Sequence, residues 1–395
     1  MNGSPPPDGT RASRRIAILV SVGLVVLASS VRAQVSWGAR GVTVYTLNPF
    51  DVAGPLGTIT DDGTFGGLIG WQATTWSPRE GVHVLGNFRG GFTWASAVNS
   101  AGHVVGIGQV GVDGPVRGYL YDGSGLQDLG SLGGTNTWAF DLNDAGQVVG
   151  QSELAGDQHI HAFVYEGGVM RDIGTLGGTD SFGLSINQTG QITGFSYLTG
   201  NRGLHAFRFD GTAMQDLGTL GGDLSFGNDI NVRGQVVGWS ETPNADVEHA
   251  FLFAGTRMHD LGTTGGTKSD AYAIDDMGRV VGASTYDPSG LWRAVLWESV
   301  HGAYQAFAFE DLVNDGTHNR GWTFNQAVGI SNNGRYVVAR GSNMRLGYDG
   351  WVMLEQNVRG GSVTPEPVSL VLLATGLAGL GIARRRRNQI ASELS

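Results

Sequence analysis

The chain has 395 residues, a length typical of two or three domains or of one long repeat array. It contains 66 glycines and no cysteine, and 15% of its residues are charged. The lack of thiols excludes disulfides, Cys-ligated zinc, iron–sulfur clusters and thiol catalysis. So much glycine without a Gly-X-Y period indicates many tight turns and therefore an all-β chain. The net charge of −10 argues against nucleic acid as a partner, because nucleic acid needs a basic surface.

Residues 1–33 have the organisation of a secretory signal peptide. Three arginines precede the apolar run 16–29, and short side chains stand at the first and third positions of the tripeptide that ends at Ala33. This order predicts export by the general secretory route with cleavage after Ala33. An uncleaved membrane anchor is the alternative interpretation.

A repeat of 44 residues fills the body of the chain, 34–360. Its most regular phrase is a short turn between two apolar segments. The glycine of this turn recurs at a constant step, as Gly102, Gly146, Gly190, Gly234 and Gly278. Weaker copies at 59–67 and 330–338 bring the number of turns to seven. Asn or Asp opens such turns, and glycine accepts the positive φ that they require.

Each repeat is predicted to contain four short antiparallel strands, because apolar residues alternate with smaller ones on both sides of the turn. In the repeat around Gly190 the predicted strands are Phe182–Ile186, Gln191–Phe195, His205–Phe209 and Met214–Gly218. Thr219-Leu220-Gly221-Gly222 then crosses to the next repeat. Four strands in about 44 residues are typical of a propeller blade.

The two ends of the repeat array predict how the ring closes. The last repeat supplies strands near 326–330, 335–340 and 350–354 but no fourth strand, whereas the body begins with an additional strand at 42–47. We therefore predict a seven-bladed β-propeller closed by its N-terminal strand. Open stacking of the repeats is the alternative. Extra residues around 310–322 predict a longer loop between the last two repeats.

Two further phrases keep the same step. His-Ala-Phe begins at His161, His205 and His249, and Asp-Leu-Gly begins at Asp128, Asp216 and Asp260, with Asp-Ile-Gly at Asp172. Together with the turn phrase they resemble the bacterial extracellular repeats of the HAF family over about 42–355. The resemblance implies an extracellular repeat protein, and the family carries no established activity to transfer.

The C-terminal segment, 361–395, combines three features in a fixed order. An apolar run, 368–383, is flanked by two short motifs, which are Pro365, Glu366 and Pro367 before it and Arg384, Arg385, Arg386 and Arg387 after it. The order resembles the PEP-CTERM sorting signal, which implies processing by an exosortase-type enzyme and delivery to the envelope or the outside. The run predicts one transmembrane helix, although at about 1.5 Å per residue it spans about 24 Å, less than the hydrocarbon core of about 30 Å. A plain membrane anchor is the alternative.

The recurring histidines predict a structural role. Equivalent positions of separate blades diverge outward, so they do not bring several nitrogens to within about 2.1 Å of one metal ion. Acidic turns such as Asp275-Asp276-Met277-Gly278 run into apolar strands and lack the ligands of a calcium loop. No nucleophile elbow, phosphate-binding loop or His-Glu-x-x-His motif occurs. We therefore predict a protein that is not an enzyme and that binds no cofactor and no metal.

The loops between second and third strands combine a constant length with different residues, as in 151–161, 195–205, 239–249 and 283–293. In a propeller these loops share one face with the blade-crossing glycines, and aromatic and polar side chains on such a rigid surface suit carbohydrate or protein recognition. The candidate ligand face consists of Glu153, His159, Tyr197, Arg202, Trp239, Glu241, Tyr286, Asp287 and Trp292.

These features predict an exported, non-enzymatic protein that is secreted or held at the cell surface, with the C-terminal helix as a transient anchor in the inner membrane. The expected partner is exopolysaccharide or a surface protein. A secreted carbohydrate-active hydrolase with two loop carboxylates about 5–9.5 Å apart is the alternative. Ice binding is a third interpretation because Thr175, Thr219 and Thr263 recur once per repeat, although a ring does not present a flat threonine array.

Overall fold

The computed structural model describes residues 34–36, 42–47, 58–244, 246–287, 289–300, 302–313 and 321–356. Within these ranges the chain forms seven antiparallel sheets, one for each predicted blade. The all-β, seven-bladed propeller is therefore confirmed. The predicted signal peptide with Ala33, the sorting motif and the apolar run 368–383 lie outside the described residues. No helix of the described chain is long and apolar enough to cross a membrane.

The strands are numbered along the chain and grouped by blade. The N-terminal strands are β1 (Gln34–Ser36) and β2 (Val42–Thr46). Blade 1 contains β3 (Phe65–Ile69), β4 (Gln72–Ser77) and β5 (Gly81–Gly86). Blade 2 contains β6 (Gly90–Val98), β7 (Val104–Val110), β8 (Val116–Tyr121) and β9 (Leu126–Asp128). Blade 3 contains β10 (Gly133–Leu142), β11 (Val148–Leu154), β12 (Ile160–Glu166) and β13 (Val169–Asp172).

The remaining blades follow the same plan. Blade 4 contains β14 (Gly177–Ile186), β15 (Ile192–Leu198), β16 (Leu204–Phe209) and β17 (Met214–Asp216). Blade 5 contains β18 (Ser225–Ile230), β19 (Val236–Glu241), β20 (Glu248–Ala254) and β21 (Arg257–Gly262). Blade 6 contains β22 (Ser269–Ile274), β23 (Val280–Thr285), β24 (Trp292–Val300) and β25 (Ala303–Ala308), and blade 7 contains β26 (Trp322–Ile330), β27 (Tyr336–Asn343) and β28 (Tyr348–Gln356).

Ring closure follows the prediction. Strand β2 pairs antiparallel with β28, with Val42 opposite Gln356 and Thr46 opposite Val352. The hydroxyl of Tyr45 also donates to Glu355 Oε2 at 2.7 Å. The N-terminal strand thus supplies the missing fourth strand of blade 7, which excludes the open stack.

Three details differ from the prediction. Strand β1 pairs with β2 and adds a fifth strand at the outer edge of blade 7. The segment predicted as a longer loop begins with a short helix, α1 (Phe309–Val313), because the buried Phe309 and Val313 pack into the core beside blade 7. Blade 1 has three strands within the described residues, since its turn phrase precedes β3 and the segment before that turn is not described.

A ladder of asparagine side chains joins neighbouring blades at the turn phrases. The amide of Asn143 donates to the carbonyl of Asn187 at 3.2 Å, and Asn187 donates to Asn231 at 2.8 Å. The Asn187 side-chain oxygen meanwhile accepts the backbone N–H of Thr189 and Gln191 within its own turn. Sequence reasoning assigned this asparagine to the turn alone, whereas the structure shows that it also connects the blades.

The His-Ala-Phe phrase has one structural task for each residue. The ring Nδ1 of His205 lies 2.8 Å from Asp216 on the neighbouring fourth strand. The N–H of Ala206 donates to Ser225 Oγ of the next blade at 2.8 Å, and Phe207 is fully buried. The predicted structural role of the histidines is therefore confirmed, with the refinement that each one pairs with an aspartate of its own blade.

The hydrogen bond that His161 donates to Asp172 raises the pKa of His161 against the opposing effect of burial. Burial opposes ionisation of Asp172, yet hydrogen bonds from His161 and the Gly174 N–H hold the pKa of that carboxyl below its usual value. Each partner thus favours the charged form of the other, so the two residues form an ion pair between the third and fourth strands of the blade, which we call the His–Asp clip.

Candidate binding face

One edge of every sheet carries the loops between second and third strands together with the crossings from blade to blade. The register places them side by side, since Gly133 pairs with Leu154 and Gly177 with Leu198. We call this edge of the propeller the loop face, and the opposite edge, which carries the turn phrases, the turn face. The nine residues of the candidate ligand face lie on or next to the loop face, although they belong to four blades.

The second glycine of each crossing leaves room for a candidate side chain. A Cβ on Gly134 would lie 2.5 Å from the Cβ of Glu153, and one on Gly222 would lie 2.5 Å from the Cβ of Glu241. In the same way, a Cβ on Gly178 would lie 2.4 Å from the Cβ of Tyr197. Three of the predicted residues therefore occupy equivalent positions, and the repeated glycine pair exists because these side chains pack on it.

The carboxylates at these positions fasten the crossings. Glu153 Oε2 accepts the backbone and side-chain N–H groups of Asn136 at 2.9 and 3.0 Å. Glu241 Oε2 accepts the N–H of Asp223 at 3.3 Å. Asp287 Oδ1 accepts the N–H of Ser289 at 2.8 Å within its own loop. Each of these acids bonds inside its own blade.

His159 and Tyr197 come together around an acid that sequence reasoning did not select. Asp180 Oδ1 accepts the N–H of Ile160 at 2.8 Å and lies 3.7 Å from His159 Nδ1. Burial, together with the charge of Asp180, raises the pKa of the Tyr197 hydroxyl. Blades 3 and 4 therefore share one polar cluster, whereas Arg202 is exposed at the end of the 3-10 turn Thr199–Asn201.

Trp239 ends a continuous aromatic stack that crosses from blade 4 to blade 5. The ring centroids of Phe182 and Phe195 are 4.6 Å apart, those of Phe195 and Phe226 are 4.4 Å apart, and those of Phe226 and Trp239 are 4.4 Å apart. The stack could have been found in the sequence, because Phe182 and Phe226 keep the repeat step and so do Phe195 and Trp239.

Blade 6 places Tyr286 and Trp292 at the mouth of its loop. The guanidinium carbon of Arg293 lies 3.9 Å from the centroid of the Tyr286 ring, and 41% of Trp292 is exposed. A cation held against one aromatic ring, with a second exposed ring on the same loop, is the kind of surface that recognises a polar ligand.

Large apolar side chains are exposed on the loops of blades 1, 2, 6 and 7. They are Trp71, Val112, Leu291, Trp292, Met344 and Leu346, which stand on the loops between second and third strands or, for Trp292, at the strand residue that follows the loop. The corresponding loops of blades 3 to 5 are polar. Sequence reasoning selected Trp292 alone of this set, because blades 1 and 7 carry weak copies of the repeat.

A second, buried network lies on the turn face around the ring axis, and sequence reasoning missed it. Ser185 Oγ lies 3.0 Å from Asp141 Oδ2 and 2.8 Å from Asp229 Oδ1. The two carboxylates also accept the N–H groups of Ile186 and Ile274 from the following blades. The side chains therefore tie the first strands of blades 3 to 6 together.

The network holds an extra proton more readily than ordinary carboxylates do. Burial raises the pKa of Asp141, and burial with the nearby Asp141 charge raises the pKa of Asp229 to about 6. The single hydroxyl proton of Ser185 serves one carboxylate at a time, so both contacts are hydrogen bonds only when one carboxyl is protonated. The pocket beside these groups is lined by Thr58, Ile186, Asn187 and Asp276. Among the described residues, no three His, Asp or Glu side chains are grouped so as to hold a metal ion.

The described chain is thus a seven-bladed β-propeller with a glycine-lined loop face and an acidic network at the opposite end of its axis. No protein-family model and no curated protein matches it. The fold is similar to that of the putative TolB from Agrobacterium tumefaciens, with 15% identity, a TM-score of 0.41, and coverage of 66% of this chain and 92% of that one.

Two further solved structures are similar in fold. The β-propeller domain of the Trilobed protease from Pyrococcus furiosus has 9% identity and a TM-score of 0.42, with 70% of this chain and 97% of that chain covered. TolB from Acinetobacter baumannii has 14% identity and a TM-score of 0.39, and the match covers 54% of this chain and 57% of that one. The chain therefore spans little more than half of the Acinetobacter protein. These similarities concern the fold alone.

Proposed function

We propose that this chain is an exported, non-enzymatic binding protein whose loop face recognises extracellular polysaccharide. The N-terminal signal takes it across the inner membrane, and an exosortase-type enzyme processes the C-terminal tail, so that the propeller is released or held at the cell surface. The HAF-like repeats and the PEP-CTERM-like tail support this location.

The observation that carries the proposal is the contrast between the two edges of the sheets. The contacts that join the blades recur in repeat after repeat, whereas the loop face differs between blades. Six large apolar or aromatic side chains are exposed on the loop face, including Trp71, Trp292 and Met344, against Val169, Val232 and Met277 at the turn face. Exposed apolar groups beside polar ones on a rigid surface are typical of recognition sites. Aromatic rings suit sugars because they cover the apolar face of the sugar ring while neighbouring polar groups bond its hydroxyls.

The test is retention on a panel of immobilised polysaccharides. We expect Trp292→Ala to weaken binding by about tenfold, as the loss of an aromatic anchor does. Val169→Ala is the matched control, because 66% of Val169 is exposed but it lies in a hairpin on the turn face. Equal binding by both variants, or no retention on any polysaccharide, overturns the proposal. Shortening of the bound polymer during incubation would contradict the non-enzymatic role.

A further inference from the structure

Arg293 occupies a position that belongs to histidine in the three preceding blades. It pairs across the sheet with Ser284, as His249 pairs with Ser240. In those blades the ring Nδ1 lies 2.7–2.8 Å from an aspartate on the fourth strand, in the pairs His161–Asp172, His205–Asp216 and His249–Asp260. A cationic group at this place therefore normally has a carboxylate partner.

Blade 6 has changed both members of the pair. Ala308 stands opposite Val295, where Asp260 stands opposite Phe251 in blade 5. Arg293 Nε is buried without a hydrogen-bond partner, and no ion pair of Arg293 occurs within the described chain. The structure thus keeps a permanent positive charge and removes the carboxylate that would neutralise it. An external carboxylate at the outer guanidinium nitrogens would take the place of the missing aspartate.

The surroundings of Arg293 hold the guanidinium ready for a ligand. The guanidinium carbon lies 3.9 Å from the Tyr286 ring centroid, so an aromatic ring covers one face of the guanidinium plane. Trp292 and Leu291 beside it are 41% and 57% exposed. Asp287, the acid of this loop, is engaged by the Ser289 N–H.

We infer that Arg293, held against the ring of Tyr286, binds the carboxylate of a uronic-acid polysaccharide. The inference rests on the proposed function and narrows its ligand to acidic polymers. A guanidinium binds a carboxylate with two parallel N–H bonds, and the outer nitrogens of Arg293 can supply them. The chain has a net charge of −10, so long-range attraction does not hold an acidic polymer and recognition depends on this local pairing.

The experiment compares polygalacturonate with its fully methyl-esterified form, which keeps the sugar backbone and loses the charge. We expect the protein to bind polygalacturonate about tenfold more tightly than the ester. Arg293→Ala should remove this preference, and Arg293→Lys should restore only part of it because an ammonium lacks the planar fork. Arg171→Ala is the matched control, since Arg171 is exposed on strand β13 of blade 3.

A double variant, Arg293→His with Ala308→Asp, rebuilds the pair of blades 3 to 5. It should bind like Arg293→Ala while its thermal unfolding matches that of the unchanged protein, which separates loss of the site from loss of the fold. Equal binding of both polymers by the protein and by Arg293→Ala overturns this inference and leaves the loop-face proposal standing. Binding of neither polymer nor any other polysaccharide overturns both.

Discussion

Blades 3 to 5 and blade 6 are built on the same repeat, yet they differ at three places. Blades 3 to 5 have an asparagine in the turn, a polar residue at the axis and a His–Asp clip at the loop edge. Blade 6 has Asp275, Ala273 and Arg293 at these places. At the turn it compensates, because Arg279 bonds Asp275 Oδ2 at 2.6 Å and also donates to the carbonyl of Asn333 in blade 7. At the loop edge, the described part of blade 6 has no ion pair in place of the His–Asp clip. The comparison teaches that the turn contact between blades is replaced when it is lost, whereas the polar side chain at the axis and the clip at the loop face can be given up.

The largest expected effect concerns the buried phenylalanine of the His-Ala-Phe phrase. Phe207→Ala should lower the free energy of unfolding by about 4 kcal/mol, because it leaves a cavity in a fully buried site. Val295→Ala at the equivalent place in blade 6 removes fewer carbons and should cost clearly less. Urea unfolding followed by tryptophan fluorescence measures both. Similar small losses would mean that the interior of blade 4 is not packed as described.

The compensation at the turn of blade 6 can be broken directly. Arg279→Ala leaves the buried Asp275 carboxylate without its cation and should cost about 3 kcal/mol. Asn187→Ala removes a neutral link between blades 4 and 5 and should cost about 2 kcal/mol. The same urea titration ranks the two. If Asn187→Ala proves the more harmful, the ionic replacement in blade 6 is not what joins it to blade 7.

The smallest effect is a pH dependence at the axis, where blade 6 has Ala273 in place of a polar residue. Burial raises the pKa of Asp229 to about 6, so the folded state binds a proton more tightly than the unfolded state does. The resulting stabilisation is complete below the unfolded pKa of about 4 and is lost as the pH rises through 6. Unfolding at pH 5 should therefore require about 1 kcal/mol more than at pH 7.

The control for this dependence is Asp229→Asn, which cannot ionise. The difference between the two proteins isolates Asp229, because every other ionisable residue is the same in both. The gain on lowering the pH from 7 to 5 should be about 1 kcal/mol smaller in the variant. An identical gain in the free energy of unfolding in both proteins would mean that the proton binds a group other than Asp229.

The sequence predicts the ring well because its information is periodic. The constant step between Gly102 and Gly278 gave the size of the blades, and the unpaired strand at 42–47 gave the closure. The axial network could not be predicted from the repeat, because its equivalent positions carry different residue types, which are Asp141, Ser185 and Asp229. A break in register between Ala139 and Asp141 also interrupts the alternation from which inward-facing side chains are predicted. The identity of the ligand depends on the loops, which follow no period.

The pairing of β2 with β28 has a consequence for how the protein reaches its native state. Tyr45 and Glu355, which are joined by a hydrogen bond, stand 310 residues apart in the chain. During synthesis β2 emerges before the strands of all seven blades, and its partner β28 appears only after every other strand has been made. Contacts of such long sequence separation form late. The backbone hydrogen-bonding groups on the β28-facing edge of β2 therefore stay unpaired while the intervening blades assemble. An edge of this kind recruits other strands, and a chain released before β28 is complete is therefore the species most prone to aggregate.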